Sequence, residues 1–189
     1  MKTKYRIELT DADPRIAVYR QIMNLKGLFR QGWLKQGISA EVCESVADHS
    51  FGTALLALLL CPPELDASRV VQMAILHEAG ESLIGDITPH DGVSEADKRA
   101  REEAAVQQLF APLPDGDKWL ELWRDFEYGS SAEGRFVQQL DKLEMGLQAQ
   151  QYAQLTDADT RGFITSARKV ISHPALTGIL QGTPTTKEH

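Results

Sequence analysis

The chain is short of cysteine, of positive charge and of long apolar runs, and each shortage excludes something. Its two cysteines, Cys43 and Cys61, belong to no CxxC pair. Two are too few for a disulfide framework, so a reducing, cytoplasmic setting is expected. Lys and Arg number 20 against 27 Asp and Glu, a formal charge of −7. Nothing in that balance replaces phosphate counterions over a large surface, which argues against a nucleic-acid polymer or an anionic membrane as partner. The longest apolar run, Ala54–Cys61, is far too short to span a bilayer, and the opening MKTKYRIELTDADPRI lacks the apolar stretch of a signal peptide. Repeats, low-complexity tracts and period-two alternation are lacking too, so there is little to build a sheet from.

What is there suits one soluble domain. The 189 residues, 42% of them hydrophobic, are enough to bury a real core. Residues 1–14 are polar and end at Pro14, reading as an arm; residues 15–182 form the domain; residues 183–189 are a polar tail. Helical spacing predicts a helix over 15–28, followed by a glycine-broken loop carrying Arg30, Trp33 and Lys35. A strongly apolar helix over 46–60 is capped by Ser45 and stopped by Pro62-Pro63. The next opens at Asp66 or Ser68 and runs unbroken through VVQMAILHEAGESLI to Gly85. Further helices are expected over 94–110 (Ala104, Val106 and Leu109 inward), over 117–128, from Ser130 or Ser131 onward, and over 160–171 and 174–180. The expectation is an all-α, single-domain bundle with the helices near 46–60 and 69–84 at its centre.

Two of these apolar helices carry a histidine where a hydrocarbon is expected. His49 follows Asp48; His77 follows MAIL and precedes Glu78, with Glu81 four residues on and Asp86 beyond it. In one continuous helix His77 and Glu81 share a face. Far along the chain, Asp141 interrupts the apolar pattern VQQLDKLEMGL. Burying imidazoles and carboxylates together is costly unless a cation or hydrogen bonds compensate. One divalent ion is the economical compensation, since two neutral imidazoles and two carboxylates give a mixed N/O shell suited to a transition metal. Each residue alone also has a plainer role: a histidine as a hydrogen-bonded core residue, Asp141 as a partner of Arg30 or Lys142, Trp33 as a core or interface aromatic.

ESVADHS at 44–50, LHEAGESLIGDITP at 76–89 and FVQQLDKLEM at 136–145 resemble the HD-domain phosphohydrolases, and among them the small metal-dependent 5′-deoxynucleotidases. LKGLFRQGW at 25–33 fits the same branch. The resemblance covers roughly residues 15–180 and implies an HD-type helical bundle. It implies one divalent metal ion (Mn, Co, Zn, Fe or Ni rather than Mg) on His49, His77, Glu78 and Asp141. It assigns Glu81 and Asp86 as acidic catalytic helpers, and Arg30 and Trp33 as residues near the nucleotide. Lys142 joins Arg30 as a candidate for the phosphate. Where the family has a His-Asp pair this chain has His77-Glu78, with one additional methylene.

The activity implied is hydrolysis of a (deoxy)nucleoside 5′-monophosphate to nucleoside and phosphate, by a homodimer. Trp119, Trp123 and Phe126 supply a candidate aromatic surface for that dimer, with core packing as the alternative. A competing function is a nucleotide- or metal-binding regulatory protein whose chemistry is weakened or lost through Glu78. Oxygenation by two irons, known on this fold, needs further histidines, and only His90 lies between His77 and Asp141.

Overall fold

A computed structural model describes residues 12–88 and 91–182, so the arm expected over 1–14 lies mostly outside the described residues, as do His90 and the tail expected over 183–189. In chain order the helices are α1 (Pro14–Met23), α2 (Gln31–Lys35), α3 (Val46–Leu60), α4 (Ala67–Leu76), α5 (Glu81–Ile84), α6 (Glu95–Phe110), α7 (Gly116–Tyr128), α8 (Ala132–Leu155) and α9 (Arg161–Val170). Among the described residues there is no strand. One isolated antiparallel bridge joins Phe29 to Ser45.

The predicted caps are in place. Ser45 and Asp48 form a reciprocal capping box on α3, Asp66 caps α4, Ser94 caps α6 and Ser131 caps α8. Each side chain satisfies an amide that the first helical turn leaves unbonded.

Of the two helices expected at the centre, α4 is there and α3 lies at the flank. Phe136, Val137, Leu140 and Leu143 of α8 sit in the main core with Val70, Met73 and Ala74 of α4, Leu122 and Phe126 of α7 and Ala167 of α9. From α3 only Ala57 joins that cluster fully buried. Phe51, Leu55, Leu58 and Leu59 on the other side of α3 are exposed. A helix apolar all round need not be central; this one buries one face and offers the other.

Several expectations need correction. Residues 24–27 form a 3₁₀ turn instead of prolonging α1, and residues 31–35 are helical instead of loop. On α6 Ala104 faces out and Ala105 faces in. Residues 174–178 make turns ahead of a 3₁₀ segment, Ile179–Gly182, so the α-helix expected over 174–180 does not form. Trp123 and Phe126 are core residues packed under α7, and Trp119 is half-buried, so they present no dimer surface.

Candidate metal and active site

The largest correction builds the site. The helix expected to run unbroken to Gly85 stops at Leu76, and residues 77–80 turn before α5 begins at Glu81. Bonds from Ala79 N to Leu76 O (2.9 Å) and from Glu81 N to Glu78 O (3.1 Å) tighten this stretch to three-residue turns. The Trp123 indole donates to the freed His77 carbonyl at 3.1 Å. The tightened turn brings His77 and Glu78, about 100° apart on a regular helix, to bear on one point. At Gly85 the backbone takes φ +84°, open to glycine but strained for other residues, and redirects the chain so that Asp86 accepts from Gln31 N at 2.6 Å.

On the opposite wall, Arg30 N bonds Glu44 O (3.1 Å) and Val46 N bonds Leu28 O (2.8 Å) across the Phe29–Ser45 bridge. That pairing fixes Arg30 beside the first turn of α3, which carries His49. From α8 comes Asp141.

Three of the four expected ligands, His49, His77 and Glu78, bring donor atoms within 4.8 Å of one another, and Asp141 joins them through His49. His49 Nε2 lies 3.2 Å from His77 Nε2 and 3.2 Å from Asp141 Oδ1. Glu78 Oε1 is 3.7 Å from each imidazole Nε2. His49 and His77 are buried, with Glu78 and Asp141 almost so. The outer nitrogens are committed: His77 Nδ1 donates to Ala74 O at 2.8 Å, and His49 Nδ1 to Glu144. A backbone carbonyl can only accept, so in the neutral rings both Nε2 lone pairs point inward, at each other and at two carboxylates. Such a ring of lone pairs is repulsive until a proton or a metal cation enters it. A divalent ion fits this donor set.

Electrostatics follow from the crowding. Burial and Arg30 pull the His49 imidazole down, but Asp141 and Glu144 outweigh them and raise it to about 9. Burial lowers His77. Burial pushes the Glu78 carboxyl up, yet His77, Arg30 and His49 hold it at about 2. Burial opposes ionisation of Asp141 as well, but Lys142 and the imidazoles keep it far below the usual range. At Glu81, burial, then Glu78 and Asp86, outweigh the opposing pull of Arg30 and Lys98 and drive the carboxyl well above the usual carboxylate range. Its Oε2 is buried without a hydrogen-bond partner.

His77, Glu78, Glu81, Asp86 and Asp141 line an open cavity of about 760 Å³, shared with Lys98 and Glu102 of α6, while His49 is fully buried. Arg30 is in the cavity, but its Nη1 donates to Glu78 Oε1 at 2.9 Å. Lys142 Nζ sits 2.9 Å from Asp141 Oδ2, at the rim. Trp33 lines the cavity but takes the plainer of the two roles expected for it. With 2% of its surface exposed, packed against Tyr152 and Phe163 and donating to Glu44 at 2.6 Å, it is a core aromatic and no stacking platform. Glu144 and Glu44 are the site neighbours that sequence reasoning missed; Glu144 is three residues past Asp141, on the same face of α8.

The HD domain family matches residues 22–179. The chain belongs to the HD-domain family. This HD-domain protein is 38% identical over 161 residues to 5′-deoxynucleotidase HDDC2 of Bos taurus, covering 83% of this chain and 78% of that one. It is 34% identical over 166 residues to 5′-deoxynucleotidase hdd1 of Schizosaccharomyces pombe, covering 84% and 83%. Among solved structures it is similar to a Pyrococcus horikoshii OT3 protein, with TM-score 0.72, 31% identity and coverage of 82% and 88%. A protein of Magnetospirillum magnetotacticum MS-1 described as a predicted metal-dependent phosphohydrolase is similar with TM-score 0.67, 28% identity and coverage of 84% and 82%. As a member of this branch the HD-domain protein is a metal-dependent phosphohydrolase.

Proposed function

We propose that the protein hydrolyses (deoxy)nucleoside 5′-monophosphates to nucleoside and inorganic phosphate, using one divalent transition ion held by His49, His77, Glu78 and Asp141. The observation that carries this is the meeting of two inward-facing imidazole nitrogens with the Glu78 carboxylate, joined through His49 by Asp141, at the edge of a cavity that His77, Glu78 and Asp141 line. The names of its relatives support the substrate class. Nitrogen donors favour Mn, Co, Zn, Fe or Ni over Mg. At about 760 Å³ the cavity is within the range of roughly 300–1,000 Å³ that small-molecule sites span.

The bound ion supplies Lewis acidity toward a phosphate oxygen and a more acidic water. The protein's groups supply the rest. A water attacks phosphorus, the bond from phosphorus to the 5′-oxygen breaks, and that oxygen takes up a proton. Glu81, which lines the cavity and whose Oε2 is buried without a hydrogen-bond partner, is the group that exchanges a proton with the water or the leaving oxygen. Asp86 holds the α2 amide and sets the distance between the Arg30 segment and the acids. Arg30 and Lys142 are the cations facing the phosphate; a guanidinium offers two parallel donors to it.

Phosphate release from a panel of nucleoside monophosphates, with Mn, Co, Zn or Mg added, tests this. Wild type turns over. His77→Ala and Asp141→Ala lose both bound metal and activity, and Glu81→Ala keeps metal while losing about 10²–10⁴-fold in rate. Binding of nucleotide without turnover under every metal would make the protein a regulatory binder instead. The unpartnered stripe of Phe51, Leu55, Leu58 and Leu59 on α3 supports a homodimer in which two such helices pack about a two-fold axis, which requires a solution mass of twice 21.0 kDa. The free thiols Cys43 and Cys61 support a reducing, cytoplasmic location.

A further inference from the structure

The His49 imidazole has a second nitrogen, and what surrounds it is as specific as the metal side. Nδ1 donates to the Glu144 carboxylate, which arrives from α8 one turn beyond Asp141 and is itself buried. To get there Glu144 lies across Gly52, three residues past His49 on α3. A Cβ at Gly52 would be 2.8 Å from Glu144 Oε1, 3.0 Å from its Cγ and 3.2 Å from its Cδ. Glycine in a helix interior costs stability, so a half-buried glycine lying against a carboxylate that holds His49 calls for a local reason. Glu44, Glu144 and His49 also offer three donor groups within 4.8 Å of one another. That trio is no second ion site, because Nδ1 has its hydrogen committed to Glu144 and Glu44 Oε1 accepts from the Trp33 indole at 2.6 Å.

We propose that Gly52 and Glu144 are a positioning pair: Glu144 locks His49 in the Nδ1–H tautomer, which turns the Nε2 lone pair to the cation, and Gly52 is the slot that lets the carboxylate reach the ring. This rests on the metal-dependent function proposed above. Neither residue touches a reacting atom. Both act through the orientation and basicity of His49, as a carboxylate behind a ligating imidazole does.

The test uses the full-length protein, Co²⁺ as the probe ion, competition against a chelator for affinity, the visible Co²⁺ spectrum for coordination, and the thermal midpoint of the metal-free form. Glu144→Ala and Gly52→Ala each weaken Co²⁺ binding by about 10–100-fold and change the spectrum. In Gly52→Ala only the end of a flexible side chain must move, and alanine is the better helix former. Its metal-free midpoint therefore stays level or rises while affinity falls, a combination that a merely structural role does not produce. The double variant binds no more weakly than Glu144→Ala alone, because the glycine matters only through the glutamate. Glu144→Gln, which keeps an acceptor for Nδ1–H, loses less than Glu144→Ala.

Wild-type affinity in Gly52→Ala, additive losses in the double variant, or equal losses in the Gln and Ala variants would overturn the pair while leaving the hydrolase intact. If wild type fails to bind Co²⁺, or His77→Ala binds it equally well, the proposed function itself fails and the pair with it.

Discussion

At Glu78 one carboxylate oxygen serves two claimants. Oε1 accepts from Arg30 at 2.9 Å and stands 3.7 Å from each inward-facing imidazole nitrogen. The additional methylene of Glu over Asp is what allows it to reach the guanidinium while still facing the histidines. Arg30 and the ion therefore compete for the same lone pairs, and the arginine's charge also repels the ion. Arg30→Ala should bind Mn²⁺ about tenfold more tightly, a modest share of what one charge exerts on another at that depth. The same variant should lose kcat/KM for a nucleoside monophosphate, because the phosphate loses its fork of donors. These opposite signs are read from a chelator competition and a phosphate-release assay on one preparation; a loss of metal affinity would show that Arg30 supports Glu78 instead of competing for it. The four proposed ligands stood out in the sequence because His49, His77 and Asp141 are polar residues inside apolar helical patterns, a cost that demands compensation, and because Glu78 takes the second place of the family's pair. Glu144 was not, because a lone acid near the polar face of an amphipathic helix looks solvated until its helix is packed. For Trp33 the sequence leaves core and platform equally open, and the packing of Tyr152 and Phe163 against it makes it core.

Among the elements, the joint between α4 and α5 decides the chemistry, and hydropathy cannot locate it. VVQMAILHEAGESLI keeps a helical period through the break, and the turn is paid for by tertiary partners such as the Trp123 indole on the His77 carbonyl. Caps, by contrast, are local chemistry, so Ser45, Asp66, Ser94 and Ser131 were readable. The corner of α4, α7 and α8 depends on a similar tertiary bond. Asp125 accepts from Ser131 N (2.7 Å), Ser131 Oγ (2.7 Å) and Arg69 Nη2 (2.6 Å). Burial pushes its carboxyl up, but Arg69 and Ser131 prevail and lower it below the ordinary 3.8. A carboxyl whose folded value is depressed contributes stability above its unfolded value and loses it as pH falls through the folded one. Asp125→Asn should therefore cost roughly 1–3 kcal/mol in urea unfolding at pH 7, and the gap to wild type should shrink below about pH 4. A gap that stays constant across that range would deny the charge any part in holding the corner.

For the molecule as a whole, the class of fold was legible and the arrangement of helices was not. Periodicity and the absence of alternation identify an all-α bundle, but α3, the most apolar segment, is a flank with one open face while the more polar α8 runs through the core. Mean hydropathy ranks helices by composition; burial depends on how many neighbours each helix acquires. The metal site is the point where this arrangement matters most, since it joins α3, the α4–α5 turn and α8 through residues 49, 77–78 and 141. No such site exists in the unfolded chain, so an ion bound there stabilises the fold by mass action. With free Mn²⁺ at about 100 times its Kd the gain is about 2.7 kcal/mol. For a domain of this size each kcal/mol moves the midpoint by roughly 2–4 °C. Stripping the protein with a chelator should thus lower its thermal midpoint by about 5–11 °C relative to that loaded state. His77→Ala should melt at one temperature with or without the ion. Because the linkage is thermodynamic, a wild-type midpoint indifferent to both chelator and added metal would mean that the folded state binds no ion better than the unfolded one, and the inward-facing imidazoles would then have to be held together by a proton alone.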